Sequence, residues 1–117
     1  MVRFVFLSHA EEDGNFAERV FDIIERMGIG CYIYERSREF GKDISEIIKR
    51  NIKGCRTLVV ILTQNGVQSQ VVNQEIGMAF ALNKGIIPIV ERGVETKGFV
   101  ELRLHINLTM SHLINFI

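Results

Sequence analysis

The feature that most constrains the fold of this sequence is the run Thr57–Leu62, TLVVIL, in which every residue after the threonine is apolar. Strands that are apolar at successive positions are buried on both faces, which is typical of the centre of a parallel sheet. Parallel strands cannot be joined by a tight turn, and helices usually make the crossover between them. The run therefore predicts an α/β fold.

Four further apolar runs, several rich in β-branched and aromatic residues, predict the remaining strands. They lie at residues 2–7, 30–34, 85–90 and 104–108. Pro88 lies within the run 85–90 and cannot donate a backbone hydrogen bond. We therefore expect this proline where a short neighbouring strand leaves no acceptor. Residues 91–103 are predicted to form a loop with a short helix.

Segments with apolar residues at helical spacing separate the strands. Asp13 is predicted to cap the first helix and Gly28 to end it. Its apolar stripe comprises Phe16, Ala17, Val20, Phe21, Ile24 and Met27. Asp43 and Glu46 have the spacing of a capping box at the start of the second helix, which is predicted to end at Gly54. Its apolar stripe comprises Ile44, Ile47, Ile48 and Ile52.

The third helix follows Ser69, which can cap it, and carries a single carboxylate, Glu75. Its predicted apolar stripe comprises Val72, Ile76, Ala79, Phe80 and Asn83. Glu75 lies on the shoulder of this stripe, where a carboxylate is poorly solvated and costs stability. The alternative is a flanking acid that points into water, as most acids at such positions do. Residues 63–66 are predicted to form a turn and residues 111–117 a short last helix.

Strands and helices that alternate at these spacings suit right-handed β-α-β crossovers. We predict a single domain, residues 1–117, with a flavodoxin-like three-layer fold. It has a five-stranded parallel sheet of order 2-1-3-4-5 with helices on both faces. Ligands of such folds bind at the carboxyl ends of strands one and three, where the strand order reverses. Glu75 is therefore expected near the mouth of this pocket.

Composition argues against several classes of function. Fourteen basic residues balance fourteen acidic ones, so no overall charge favours a nucleic acid or an anionic membrane. No apolar run approaches membrane-spanning length, and the N-terminus predicts a strand rather than a signal peptide. Cys31 and Cys55 are isolated, which favours buried, reduced thiols and a cytoplasmic location. His9, His105 and His112 show no metal-ligand grouping, so no metal site is predicted.

Familiar catalytic arrangements are not indicated either. Ser8 and His9 are adjacent on an extended chain, so their side chains point to opposite sides and cannot form a dyad. The third strand is followed by Thr63, at a position where a phosphoacceptor site would need an acid. No glycine-rich phosphate loop precedes a helix. The predicted pocket is left with a single acid.

Residues 6–9 (FLSH), 40–44 (FGKDI), 56–63 and 85–89 form a series of motifs in chain order. This series resembles the one found in Toll/interleukin-1 receptor (TIR) domains. Residues 6–9 (FLSH) resemble the signature that follows the first strand of the family. Residues 40–44 (FGKDI) resemble the end of the loop after the second strand, with Phe40 in place of a proline. Residues 56–63 and 85–89 resemble the third and fourth strands.

The segment that carries the acid extends this resemblance. Residues 70–75 (QVVNQE) resemble the family's Trp-x-x-x-Glu segment, with Val71 at the tryptophan position. Residues 72–77 (VNQEIG) are most similar to prokaryotic members. The resemblance implies the flavodoxin-like fold that the strand pattern also predicts.

The resemblance implies an NAD⁺ nucleosidase that cleaves the nicotinamide–ribose bond. The products would be nicotinamide and ADP-ribose or a cyclic variant, with NAD⁺ as substrate and no cofactor. Glu75 would supply the essential catalytic carboxylate. The residues implied to bind the substrate are Ser8, His9, Arg36, Lys42 and Val71.

The resemblance also implies self-association through the loop after strand two, where Arg38, Phe40 and Gly41 would form the contact. The expected partners are further copies of the chain or other TIR domains. Two alternatives remain open. One is a non-catalytic module that acts by TIR–TIR contact, and the other is a nucleoside-processing enzyme of the deoxyribosyltransferase kind that also uses a glutamate.

Overall fold

The structure is a computed structural model that describes residues 4–34, 44–96 and 108–109. Its helices and strands follow one another largely as the sequence predicts. In chain order they are β1 (Phe4–Ser8), a 3-10 turn (Glu11–Asp13), α1 (Gly14–Arg26), β2 (Gly30–Tyr32), α2 (Ile44–Gly54), β3 (Thr57–Leu62), α3 (Gln64–Gln68), α4 (Gln70–Ala81), β4 (Gly85–Val90) and β5 (Leu108–Thr109).

The five strands form one parallel sheet of order β2-β1-β3-β4-β5, as predicted. β3 lies at its centre, where Thr57 is opposite Val5 of β1 and Gly85 of β4. β5 pairs with Ile89 and Val90 of β4. The described part of β5 begins opposite the residue after Pro88. The residues that precede it lie outside the described part of the chain, so the expectation for this proline stays a prediction.

Side chains of β3 point alternately into two apolar layers, which is why the strand is apolar at almost every position. Val59 and Ile61 pack with α1 on one face of the sheet. Leu58 and Val60 pack with α2 and α4 on the other face. Full burial of such a side chain contributes about 1.5–3 kcal/mol to stability. The sheet is therefore covered on both sides, and the three-layer prediction is confirmed.

The apolar stripe of α1 faces the sheet. Ala17, Val20 and Phe21 are buried, and Phe16 and Ile24 pack against the same layer. In α2, Ile47 and Ile52 are buried and Ile48 packs against the opposite layer. The predicted capping residue Asp43 and the side chain of Ile44 lie outside the described residues.

Both ends of α1 depart in part from prediction. Gly28 follows the helix with a φ of 79°, as expected of a glycine that ends a helix. Met27 is the C-cap residue and is 67% exposed, so its place in the stripe is wrong. Asp13 occupies the N-cap position of α1 as predicted, but its side chain makes no hydrogen bond to the helix backbone. Its carboxylate binds a side chain from a different segment, described below.

The C-terminal end of α4 also corrects the prediction. Val72, Ile76 and Ala79 are buried, but Asn83 is exposed and has a φ of 58°. Asparagine tolerates this left-handed conformation better than most residues, so it suits the chain reversal that follows a helix. Asn83 therefore belongs to the end of α4 rather than to its stripe.

Three predicted segments have different bounds in the structure. Residues 64–68 form the short helix α3 instead of a turn, because Thr63 caps it by accepting a hydrogen bond from Gly66 N at 2.9 Å. β2 ends at Tyr32, two residues before its predicted end. β5 begins at Leu108, the last residue of its predicted range, and residues 104–107 and 111–117 lie outside the described part. Residues 91–96 contain a turn and no helix.

Both cysteines are free thiols. Cys55 is buried, and this burial raises the pKa of its thiol, in agreement with the predicted unreactive thiol. Cys31 is partly buried. Within the described residues, no helix has the length and apolar character that crossing a membrane would require.

Candidate functional site

A cleft of about 970 Å³ opens at the carboxyl ends of β1 and β3, where the strand order reverses. Leu7 and His9 contribute from the end of β1, and Glu11, Glu12 and Gly14 from the 3-10 turn and the first residue of α1. A second wall comprises Asn65, Gln68, Ser69, Val71 and Glu75, from α3, α4 and the residue between them. The predicted pocket is therefore present, and its two walls come from distant parts of the sequence.

Glu75 is buried in this cleft, with 6% of its surface exposed. The hydroxyl of Ser8, at the end of β1, donates a hydrogen bond of 2.6 Å to Glu75 Oε1. A carboxylate out of water destabilises the fold unless donors satisfy it, and a short hydrogen bond to a charged acceptor is among the stronger ones. The alternative in which Glu75 points into water is wrong.

The start of α4 holds this carboxylate in place. Ser69 Oγ accepts from Val72 N at 3.2 Å, so Ser69 caps α4 as predicted. The Asn73 side-chain amide donates to the backbone oxygens of Val67 at 3.1 Å and Ser69 at 2.8 Å. These bonds fix the junction between α3 and α4, one turn before Glu75.

Val71 is at the rim of the cleft and is 51% exposed. It precedes Glu75 by four residues, so both side chains lie on the same side of α4. The helix thus exposes an apolar side chain and buries a carboxylate one turn further on. This arrangement is the reverse of what a surface helix normally shows.

His9 lines the cleft but does not pair with Ser8. Its Nδ1 lies 2.7 Å from the carbonyl oxygen of Ala10. A carbonyl oxygen can only accept, so this assigns the proton to Nδ1. Ser8 instead donates to Glu75. The sequence argument against a Ser8–His9 dyad is therefore confirmed.

A second side-chain hydrogen bond at the cleft was missed by sequence reasoning. Thr63 Oγ1 donates to Asp13 Oδ2 at 2.6 Å while it accepts from Gly66 N at 2.9 Å. Thr63 is 4% exposed and Asp13 is partly buried. No local pattern indicates this pair, because its members are 50 positions apart and each resembles a helix cap.

The remaining predicted site residues lie outside the described part of the chain. These residues are Arg36, Arg38, Phe40, Gly41 and Lys42. Among the residues that the structure describes, no group of three or more His, Cys, Asp or Glu side chains could hold a metal ion. The described cleft combines a buried carboxylate and its hydroxyl donor with His9 and with the exposed Glu11 and Glu12.

Fold and site together define a flavodoxin-like α/β domain with a buried glutamate at its switch point. More specifically, the chain belongs to the TIR-domain family, whose model matches residues 5–113. The family identified by resemblance is thereby confirmed. A search of curated proteins finds no match to this chain.

Solved structures share this fold at low sequence identity. The TIR domain of the Toll-related receptor TRR-2 from Hydra magnipapillata has a TM-score of 0.79 and 21% identity, over 90% of this chain and 82% of that one. The TIR domains of the activated Roq1 resistosome, which recognises the pathogen effector XopQ, have a TM-score of 0.70 and 23% identity. The match covers 77% of this chain and 58% of that one. The Clostridium botulinum CMP N-glycosidase BcmB has a TM-score of 0.70 and 18% identity, over 97% of this chain and 98% of that one.

Proposed function

We propose that this TIR domain cleaves the nicotinamide–ribose bond of NAD⁺, giving nicotinamide and ADP-ribose or a cyclic variant. The observation that carries the proposal is the buried carboxylate of Glu75, which lines the cleft and accepts a hydrogen bond from Ser8. The cleft volume, about 970 Å³, is at the upper end of the range of about 300–1,000 Å³ typical of small-molecule sites.

The chemistry of this bond suits a single acidic residue. Nicotinamide is a pyridinium in NAD⁺ and departs as a neutral molecule, so its departure needs no proton from a general acid. Ordinary glycosidases, by contrast, use two carboxylates. As the bond breaks, positive charge develops on the ribose, and an ionised carboxylate beside it stabilises that transition state more than the ground state.

Ser8 is proposed to orient this carboxylate. Its hydroxyl holds Oε1 of Glu75 from the end of β1, so the carboxylate does not need to reorganise when charge develops. Val71 and His9 line the same cleft and are proposed to contact the substrate. Arg36 and Lys42 are proposed, from the family resemblance, to contact the diphosphate.

The structural neighbours are compatible with this chemistry. The Clostridium botulinum protein is described as a CMP N-glycosidase, so a protein of this fold acts on the N-glycosidic bond of a nucleotide. The Roq1 TIR domains are described in an activated resistosome. We propose that this chain also acts when self-associated, through the loop that contains Arg38, Phe40 and Gly41. The free thiols fit a cytoplasmic location, which we include in the proposal.

The test is to incubate the purified protein with NAD⁺ at low and high protein concentration and to quantify free nicotinamide. We expect release that falls at least about 100-fold in Glu75→Gln, the loss typical when a preorganised electrostatic group is removed. Glu25→Gln is the matched control, because Glu25 is an exposed glutamate of α1 that does not line the cleft. We expect its activity to equal that of the wild type.

The other outcomes separate the alternatives. Activity per mole that rises with protein concentration supports assembly, and a constant value argues against it. Release of cytosine from CMP, without release of nicotinamide from NAD⁺, would indicate an enzyme of the nucleoside-processing kind. A folded protein that releases nothing from either substrate would contradict the proposal and favour a non-catalytic TIR–TIR module.

A further inference from the structure

The hydroxyl of Thr63 connects three segments that border the cleft. Thr63 follows β3, its hydroxyl accepts from Gly66 N in the first turn of α3, and it donates to Asp13 at the start of α1. The Thr63 side chain is almost fully buried. One oxygen atom therefore joins the 3-10 turn (Glu11–Asp13) to α3.

These two segments form adjoining walls of the cleft and pack directly against each other. Glu11, Glu12 and Gly14, which flank Asp13, line one wall, and Asn65 and Gln68 of α3 line the next. The Thr63–Asp13 bond joins the two walls, yet neither residue lines the cleft itself. A bond in this position fixes one wall relative to the other without contacting a ligand.

Packing at Gly66 makes the α3 wall rigid. A Cβ atom placed on Gly66 would lie 2.4 Å from the backbone oxygen of Ile61, so the first turn of α3 is pressed against β3. Ser69 N also donates to Gly66 O at 3.2 Å. The position of α3 therefore determines where Ser69 and the first turn of α4, which includes Val71, lie.

We propose that Asp13 and Thr63 are positioning residues that hold two adjoining walls of the cleft in place and thereby set its affinity for substrate. They act through the two walls and do not touch the reacting atoms. The proposal rests on the proposed function, because it takes the cleft to be the substrate site. Since both walls face the substrate before and during reaction, loosening them weakens ground-state and transition-state binding alike.

Asp13→Ala is the most informative variant, because it removes the bond between the walls and leaves the Thr63 cap on α3 intact. We expect KM for NAD⁺ to rise about tenfold with kcat within about twofold of the wild type, as uniform loss of binding predicts. Asp13→Asn keeps an oxygen acceptor, so we expect it to recover most of the affinity. Thr63→Ser keeps both hydrogen bonds and should behave in the same way.

Glu91→Ala is the matched control. Glu91 Oε1 accepts from Gln64 N at 3.3 Å, so it also contacts the start of α3, but it does not line the cleft. We expect this variant to leave KM unchanged. Equal loss of kcat in Asp13→Ala and Glu91→Ala, with KM unchanged in both, would show that the Asp13 contact only stabilises the fold and would overturn the proposal.

Amide hydrogen exchange tests the same proposal without turnover. In Asp13→Ala we expect the amides of Asn65 to Gln68 to exchange about tenfold faster, while those in the middle of β3 keep their protection. Unchanged exchange in α3 would overturn the proposed link between the walls. If the wild type releases no nicotinamide, the proposed function fails, and hydrogen exchange still decides whether this link exists.

Discussion

Helices α1 and α4 pack on opposite faces of the same sheet and differ in which kinds of side chain they bury and expose. In α1 the buried residues are Ala17, Val20 and Phe21, and acids such as Glu25 point into water. In α4 a carboxylate, Glu75, is buried, while Val71 is half exposed. α1 therefore follows the ordinary rule for an amphipathic helix, and α4 breaks it one turn after its start.

The difference shows where the chain departs from the ordinary pattern at a cost in stability. Burying a carboxylate is unfavourable, and a half-exposed valine gains less from the hydrophobic effect than a buried one. Both exceptions in α4 line the same cleft. Departures from local rules are expected to cluster at functional sites, because elsewhere they bring no compensating gain. The contrast predicts that changes in α1 alter stability and that changes in α4 alter activity.

The largest expected effect is on stability and lies in α1. Phe21→Ala removes a buried ring from the α1 layer and should lower the free energy of unfolding by about 3–5 kcal/mol. Chemical denaturation measures this change. Nicotinamide release per folded molecule should equal that of the wild type. A fall in that specific rate would mean that α1 shapes the cleft and would end the contrast between the helices.

Glu75→Gln is expected to have the next largest effect, on the reaction. A 100-fold loss of rate corresponds to about 2.7 kcal/mol of transition-state stabilisation. The free energy of unfolding should change by no more than about 1 kcal/mol, because the amide oxygen still accepts from Ser8 and no charge is buried. Unfolding that is destabilised as strongly as in Phe21→Ala would instead assign Glu75 a structural role.

Ser8→Ala should have an intermediate effect on both quantities. It leaves a buried carboxylate without its hydroxyl donor, which costs about 1–3 kcal/mol of stability. It should also reduce nicotinamide release, because the carboxylate loses its fixed orientation. A double-mutant cycle with Glu75→Ala, which removes the acceptor, isolates the interaction between the two residues. Strictly additive stability changes would contradict the direct coupling proposed here.

The smallest stability effects are expected at the exposed apolar residues. Met27→Lys and Val71→Lys should each change the free energy of unfolding by less than about 0.5 kcal/mol, since both side chains already contact water. The two variants should differ in KM for NAD⁺. We expect Val71→Lys to alter KM, because Val71 lines the cleft, and Met27→Lys to leave it unchanged. Equal KM values would remove Val71 from the proposed substrate contacts.

Much of the fold could be predicted because the spacing of apolar residues along the sequence indicates each strand and helix. The run TLVVIL reveals a strand buried on both faces, and the stripe of α1 reveals the face that packs on the sheet. The strand order followed from the alternation of strands and helices. Helix ends were less predictable: Met27 and Asn83 continue the helical spacing, although the backbone has already left the helix at those positions.

The site could be predicted only in part. Its place at the switch point follows from topology, and Glu75 stood out as the one acid of α4. Its burial did not follow, because a residue on the shoulder of a stripe can turn either way. The contact between Asp13 and Thr63 could not be predicted, since each residue fits a local helix-start pattern that accounts for it without a distant partner.

The two hydrogen bonds that organise the cleft also have a consequence for how the chain folds. Ser8 and Glu75 are 67 positions apart, and Asp13 and Thr63 are 50 apart. Contacts between such distant positions close long loops, whose entropy must be lost before the bonds form. During synthesis, β1 leaves the ribosome well before α4 exists. The Ser8–Glu75 bond therefore cannot form until α4 has been synthesised, and the cleft is completed only after most of the sheet has been made.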